Sequence, residues 1–438
     1  MDLLLVYGNT YPMLWPQPSG LSYVARAARE AGHTVRVVDL MFEKDPDAVL
    51  AEALAARRWD LVGFSLRNLD TADMRKPLSF VADHVRRVAM ALEVAPVVIG
   101  GPAVTAAPEA LFRRTGATWA IAGHAERGFP QFLEEVATGA TSFTTPGLLW
   151  REGDAIRVHP PDLAGHTAGI DWSVIDRKKY ARSFMAHGLV TKSGCDHACT
   201  FCDARVTDGP FTPRDPDAIV EDIVREAREY RLNRREYFFI DACFNQPLDW
   251  AKRVLEAIAR SGVKVAFSCI VEPTPDLDAE FCRLLRRAGN LMVTGLVGTF
   301  HDAPLAALQR PFRLDDIAHA FELFESTGVL YMPQLMLGGP DETRDTVESG
   351  LAFLARWKPI MVYPAYGIRV YPRAAIRERA VADGLVAPDD DLLDPRFYLA
   401  PGLDPAWLGA RTKGLRAPLW PAVVGWTRYM ARAARLWV

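Results

Sequence analysis

Short apolar runs alternate with longer stretches whose apolar residues recur every three or four positions, and this rhythm occurs twice along the chain. In residues 1–140 the runs Leu3–Tyr7, Val35–Leu40, Leu61–Ser65, Val97–Gly100 and Trp119–Ala122 read as strands. Between them Gly20–Ala31, Pro46–Arg57 and Pro77–Ala91 read as helices. Strands separated by helices of this length predict an α/β domain with a doubly wound parallel sheet. Such sheets bind ligands beyond the carboxyl ends of their strands. Those ends carry Gly8-Asn9-Thr10, Ser65-Leu66-Arg67-Asn68, Gly100-Gly101-Pro102 and Gly123-His124, all polar or glycine-rich turns.

Residues 141–185 lose the rhythm and contain Pro146, Pro160 and Pro161, which predicts a connector with a small hairpin near Gly147–Val158. A second series fills residues 186–385. Its expected strands are Leu189–Lys192, Tyr237–Ile240, Val265–Cys269, Leu291–Leu296, Leu330–Leu337 and Met361–Val370. Its expected helices are Asp217–Arg231, Leu248–Ser261, Asp278–Ala288, Leu314–Thr327 and Asp345–Arg356. Six β/α units predict a partial (β/α)6 barrel, because a full eightfold barrel typically needs about 250 residues. Residues 386–438 form a Pro- and Trp-rich extension, expected to be helical. Within it Arg428, Arg432 and Arg435 share one helical face. That face suits either an amphipathic helix on a membrane surface or a cover for the open side of the barrel.

Half of the 438 residues are hydrophobic and 24% are charged, so the chain can bury a large core and is not disordered. A formal charge of −3 gives no broad basic surface, which argues against a nucleic-acid partner. No apolar run approaches the roughly 20 residues that span a bilayer. The first residues, Met1 to Pro12, lack a basic leader and read as a strand, so a cytoplasmic location is expected.

Three of the six cysteines crowd into Gly194-Cys195-Asp196-His197-Ala198-Cys199-Thr200-Phe201-Cys202, with the spacing C-x3-C-x2-C. The loop follows the first strand of the second series. Thiolates ligate iron–sulfur clusters, and a [4Fe-4S] cluster has four irons to ligate, so three cysteines leave one iron open. The competing reading is a zinc site that adds His197, but zinc normally takes a second ligand pair and none is present. His197 is expected to be a solvated loop residue. Cys243, Cys269 and Cys282 lack ligand spacing and are expected to pack as small hydrophobes, with Cys243 the best placed to face a substrate.

With Phe201 before its third cysteine, the loop resembles the radical S-adenosylmethionine (radical SAM) superfamily. Further segments carry the resemblance. Phe238-Phe239-Ile240-Asp241-Ala242-Cys243-Phe244-Asn245 resembles the second-strand segment that approaches the methionine amino group. Leu337-Gly338-Gly339-Pro340-Asp341-Glu342-Thr343 resembles the strand-end Gly-x-x-Glu turn. Val370-Tyr371-Pro372-Arg373, with Arg377 to Ala380, resembles the end of the sixth strand. The resemblance implies S-adenosylmethionine contacts at Phe201, Asp241, Gly339 and Glu342. One departure is clear: Gly295-Leu296-Val297-Gly298 stands where relatives often read Gly-Ile-Glu-Ser, so Thr299 or Ser268 is expected to replace the ribose-binding carboxylate.

The first domain has its own resemblance. Pro18-Ser19-Gly20-Leu21-Ser22-Tyr23, Gly32-His33-Thr34-Val35, Val62-Gly63-Phe64-Ser65, Ile99-Gly100-Gly101-Pro102 and Gly123-His124-Ala125-Glu126 follow the order found in cobalamin-binding domains fused to radical SAM barrels. The resemblance implies cobalamin contacts at Asn9, Ser65, Arg67, Asn68, Gly100, Gly101 and Gly123. For Arg67 a surface salt bridge is the plain alternative. None of the nine histidines lies in a D-x-H-x-x-G pattern, so a base-off cobalamin without a histidine ligand is implied. Tyr331, Tyr363 and Tyr366 are candidates for the substrate space or for simple core filling.

The implied activity is methyl transfer to an unactivated carbon of a small or medium natural-product-like molecule. An external electron donor of flavodoxin or ferredoxin type is implied as well. The alternatives are a non-methylating oxidation, ring contraction or cyclisation, and a cobalamin-binding sensor without catalysis. No catalytic side chain is assigned.

Overall fold

A computed structural model of the chain describes residues 1–11, 16–164, 171–180, 187–230 and 236–415. The expected arginine-rich helix of the tail lies outside these residues. The first sheet contains β1 Asp2–Tyr7, β2 Thr34–Asp39, β3 Leu61–Ser65, β4 Val97–Gly100, β5 Trp119–Ile121, β6 Leu148–Glu152 and β7 Ala155–Val158. Their order is β2-β1-β3-β4-β5-β6-β7, and the first five run parallel. Leu3, Leu5 and Tyr7 enter the core on one face of the sheet, and Leu4 and Val6 enter the core on the other. Burial on both faces explains why β1 reads as a continuous apolar run rather than an alternating one. The strand order reverses between β1 and β3, and such a switch point opens a crevice at the strand ends.

The hairpin expected in the connector exists, and it completes this first sheet: β6 pairs antiparallel with β5, and β7 with β6. The expected helix over Pro77–Ala91 begins later, at Val81, because Asp70 and Ser79 form a bridge across the preceding loop.

The second half contains β8 His187–Leu189, β9 Lys192–Ser193, β10 Thr212–Pro213, β11 Glu236–Phe239, β12 Ala266–Ile270, β13 Asn290–Gly298, β14 Tyr331–Leu337 and β15 Tyr363–Tyr366. Six of these form a parallel sheet ordered β15-β14-β13-β12-β11-β8, while β9 and β10 pair with each other. Helices such as Leu248–Ser261, Ala279–Ala288 and Leu314–Thr327 connect the strands. The last expected strand is split. Gly367, with φ +65°, turns the chain between β15 and β16 Ile368–Arg369, which pairs instead with β17 Phe397–Tyr398.

Buried polar contacts join the two halves. Arg369 donates from Nε to Asp70 Oδ2 at 2.6 Å, and from Nη2 to the Leu392 carbonyl at 2.7 Å. Trp172 donates to Glu226 at 2.7 Å, and Leu393 from the extension enters the core of the first domain.

Candidate functional site

The cysteine loop is shaped by its glycine. Gly194 has φ +74°, and a Cβ there would lie 2.0 Å from the Pro210 carbonyl oxygen, so no side chain fits. The loop then folds back on itself: Cys195 N–H donates to Gly209 O at 3.1 Å, and Cys202 N–H to Cys199 O at 3.1 Å. The Thr200 peptide ties it to the rest of the domain through Leu308 O and the Ile376 N–H. Cys195 and Cys199 are buried and Cys202 is exposed. Burial pushes the Cys195 and Cys199 thiols up, and a charge on Cys195 raises Cys199 further. Thiolates in so buried a loop would need a cation beside them, and bound iron would displace their protons.

A buried polar circuit runs from Cys199 back to Cys195. Arg310 donates from Nη1 to Cys199 Sγ at 3.0 Å and from Nη2 to Glu272 Oε1 at 2.8 Å. Glu272 Oε2 lies 3.2 Å from His197 Nε2, whose Nδ1 is 3.2 Å from Gln246 Nε2. Gln246 Oε1 in turn approaches Cys195 Sγ at 3.6 Å. Burial raises the Glu272 carboxyl, but His197 and Arg310 outweigh it and hold the group below its usual range. His197 is therefore not the solvated loop residue expected from the sequence. The rings of Phe312 and Phe201 flank the Arg310 guanidinium at 4.6 and 5.5 Å.

A cavity of about 740 Å³ lies between the two halves. Of the residues expected to hold cobalamin, Ser65, Arg67, Asn68, Gly100, Gly101 and Gly123 line it. Gly101, with φ +98° and ψ 177°, adopts a conformation essentially confined to glycine. Asn9 does not line the cavity; its Oδ1 accepts from Asn68 Nδ2 at 3.4 Å, so it supports that wall from behind. Exposed Arg67 donates to Asn68 Oδ1 at 3.1 Å, and no salt bridge to it occurs among the described residues. Asp70 is committed to Arg369.

The opposite wall comes from the second half, through Gly188, Lys192, Phe238 and Asp241. Asp241 is buried with its carboxylate already bonded to the Thr191 and Lys192 backbone N–H groups at 3.0 and 3.1 Å and to the Thr191 hydroxyl. It joins the ends of β8 and β11. Phe238 aligns with Ser268 across the sheet, so both side chains point to the same face. Ser268 is thus on the cavity side, fully buried, with its Oγ lacking a hydrogen-bond partner among the described residues.

Four expected contacts are used internally instead. Thr299 donates to Glu342 Oε1 at 2.6 Å, and the other Glu342 oxygen accepts from the Gly338 N–H, closing the turn after β14. Gly339 packs against Ile368, where a Cβ would meet the side chain at 3.2 Å. Phe201 flanks Arg310 rather than the cavity. Val297 has a structural reason: it sits at a register shift of β13, 3% exposed, in the helix-side core with Val293 and Leu305. A carboxylate there would be buried among apolar side chains.

Cys269 and Cys282 belong to the hydrophobic core as expected, whereas Cys243 is buried beside Asn245, its Sγ 3.2 Å from Asn245 Oδ1. Tyr331 and Tyr366 are core residues, bonded to Glu325 and Thr412, and Tyr363 is exposed.

The residues present fit the implied cofactors. Three neighbouring thiols with a buried guanidinium suit a cluster bearing net negative charge. A side-chain-free glycine turn lines a cavity within the range of cofactor pockets, and β12, the neighbour of the strand that carries Phe238, holds the orphaned, buried Ser268 hydroxyl.

Comparison with known proteins agrees with this geometry. Residues 6–133 match the B12 binding domain model, and residues 189–354 match the Radical SAM superfamily model. The chain is 25% identical to the tryptophan 2-C-methyltransferase of Streptomyces laurentii, over 81% of this chain and 70% of that protein. It is 24% identical to an uncharacterized methyltransferase of Pyrococcus horikoshii, over 87% of this chain and 81% of that one. The fold is shared with the radical S-adenosylmethionine methyltransferase TsrM of Kitasatospora setae, solved with tryptophan and a SAM analogue. That match has a TM-score of 0.82 at 20% identity and covers 99% of this chain and 98% of that one. The chain belongs to the cobalamin-binding radical SAM enzymes.

Among the described residues, no helix is long and apolar enough to cross a membrane.

Proposed function

We propose that the protein is a cobalamin-dependent radical SAM methyltransferase that methylates carbon in a small or medium natural-product-like molecule. One observation carries this reading. Gly194 and Asp203, at the two ends of the cysteine loop, line the same cavity as the Gly100-Gly101 turn of the first domain. Cys195, Cys199 and Cys202 are the proposed cluster ligands. Together the bound groups supply reductive activation of S-adenosylmethionine and a carrier for its methyl group.

The chain's own part is positioning and exclusion of water. Thr191 and Asp241 hold the ends of β8 and β11 rigid under the cavity. Phe238 and Tyr371 keep its lining partly apolar. Arg67 cannot lose its proton, so it cannot serve as a nitrogen ligand to cobalt. Cobalamin held with no strong ligand from the protein would be easier to reduce. The ribose contact is assigned to Ser268, whose hydroxyl is unspent, rather than to Thr299. An external flavodoxin- or ferredoxin-type donor in the cytoplasm supplies the electron. The tryptophan methyltransferase among the relatives makes an indole the first acceptor to try.

The reconstituted protein, reduced and given tryptophan-type acceptors, should release S-adenosylhomocysteine only when cobalamin is bound. Equal release by cobalamin-free protein would contradict the proposal.

A further inference from the structure

We infer that Arg310 is a positioning residue that sets the reduction potential of the cluster, with Glu272 as its opposing charge. The inference rests on the proposal that Cys195, Cys199 and Cys202 hold that cluster. Arg310 lies far from the cysteine loop in sequence, at the end of the loop that follows the helix Asp302–Ala307. Its side chain is nevertheless 1% exposed and ends 3.0 Å from Cys199 Sγ.

A permanent cation in so dry a place is costly unless it is paired and hydrogen-bonded. Here it has both a carboxylate at 2.8 Å and a sulfur at 3.0 Å. Net charge, burial and hydrogen bonds to the sulfurs are what set an iron–sulfur potential. The reduced cluster carries one more negative charge than the oxidised one. A guanidinium N–H pointed at a ligand sulfur therefore stabilises the reduced form and raises the potential. The Glu272 carboxylate acts in the opposite sense. It also fixes the guanidinium, and its second oxygen lies 3.2 Å from His197 Nε2. The planar fork of arginine reaches sulfur and carboxylate at once, which a lysine ammonium does not reproduce.

The test is a redox titration of the reconstituted full chain, followed by the paramagnetic signal of the reduced cluster, with iron content measured alongside. Arg310→Met should keep its iron and become harder to reduce by at least tenfold in equilibrium constant, which for one electron is about 59 mV. Arg310→Lys should fall between Arg310→Met and the parent. Glu272→Gln, which still accepts from Arg310 but carries no charge, should shift the potential upward. If Arg310→Met loses its iron, the Lys and Gln variants decide: their shifts in opposite directions support the inference, and unchanged potentials overturn it. A loaded Arg310→Met protein with the parent potential also overturns it and leaves Arg310 a merely structural residue. A parent chain that binds no cluster at all would instead refute the ligand assignment.

Discussion

Cys199→Ala protein, reconstituted anaerobically, is expected to retain almost none of the roughly four irons per chain that such a site carries. The three thiols lie on one loop that four backbone hydrogen bonds and the Gly194 turn hold in place. Each of Cys195, Cys199 and Cys202 would supply the sole protein bond to one iron, so loss of any one would leave that iron without a protein ligand. Cys199 has the further burden of the Arg310 contact, and its loss leaves that guanidinium facing an empty space. By contrast, Cys269→Ala and Cys282→Ala remove sulfur atoms from a fully buried core, which costs stability but no iron. Cys243→Ala should also keep its iron, because that thiol faces Asn245. Iron assays on the six single variants separate the two groups. Full loading of a protein lacking all three loop cysteines would end the assignment.

The second large effect is expected away from the cofactors, at the contact between the two halves. Asp70 and Arg369 are 7% and 5% exposed and pair at 2.6 Å. Asp70 also accepts from the Ala72 N–H, and Arg369 donates to the Leu392 carbonyl, so the pair ties the crevice loop after β3 to β16 and to the extension. Removing one partner strands the other charge in a dry interface, at a cost of about 3–5 kcal/mol. Arg369→Met should therefore lower the denaturant midpoint sharply. The double variant Asp70→Asn with Arg369→Met should recover part of the loss, since no bare charge remains. Unfolding of Arg369→Met at the parent midpoint would show that the pair contributes nothing.

Local patterns carried most of the fold. The helices Leu248–Ser261 and Leu314–Thr327 lie where their periodicity predicts, because Gly262 and Gly328 end them in left-handed conformations. Strand β1 was legible as an apolar run flanked by a polar turn. Less legible was the break at Gly367, whose neighbours Tyr366 and Ile368 continue an apolar pattern that says nothing about a positive φ. The hairpin β6–β7 was visible, but not its pairing with β5, since pairing across a sheet leaves no local mark.

The site divides in the same way. Closely spaced motifs could be read directly: the cysteines, Gly100-Gly101 and the strand-end loop around Arg67. Residues assembled from distant segments could not. Arg310 follows a short helix and precedes a proline, with no spacing that connects it to Cys199. Glu272 offered only a weak sign, an acid between Val271 and Pro273 at a strand end. Thr299 and Glu342 both sit near strand ends, as ligand contacts do, yet they satisfy each other. Sequence position alone does not distinguish a carboxylate kept for a ligand from one that closes a turn.

The central claim is that a methyl group passes from S-adenosylmethionine to a carbon of the acceptor. The direct measurement is mass spectrometry of the product formed by the reduced, cofactor-loaded enzyme from S-adenosylmethionine with a fully deuterated methyl group. The account predicts a product that contains the labelled methyl intact on carbon, accompanied by S-adenosylhomocysteine. Consumption of S-adenosylmethionine with an altered product that carries no label would contradict it and leave the non-methylating chemistry in its place.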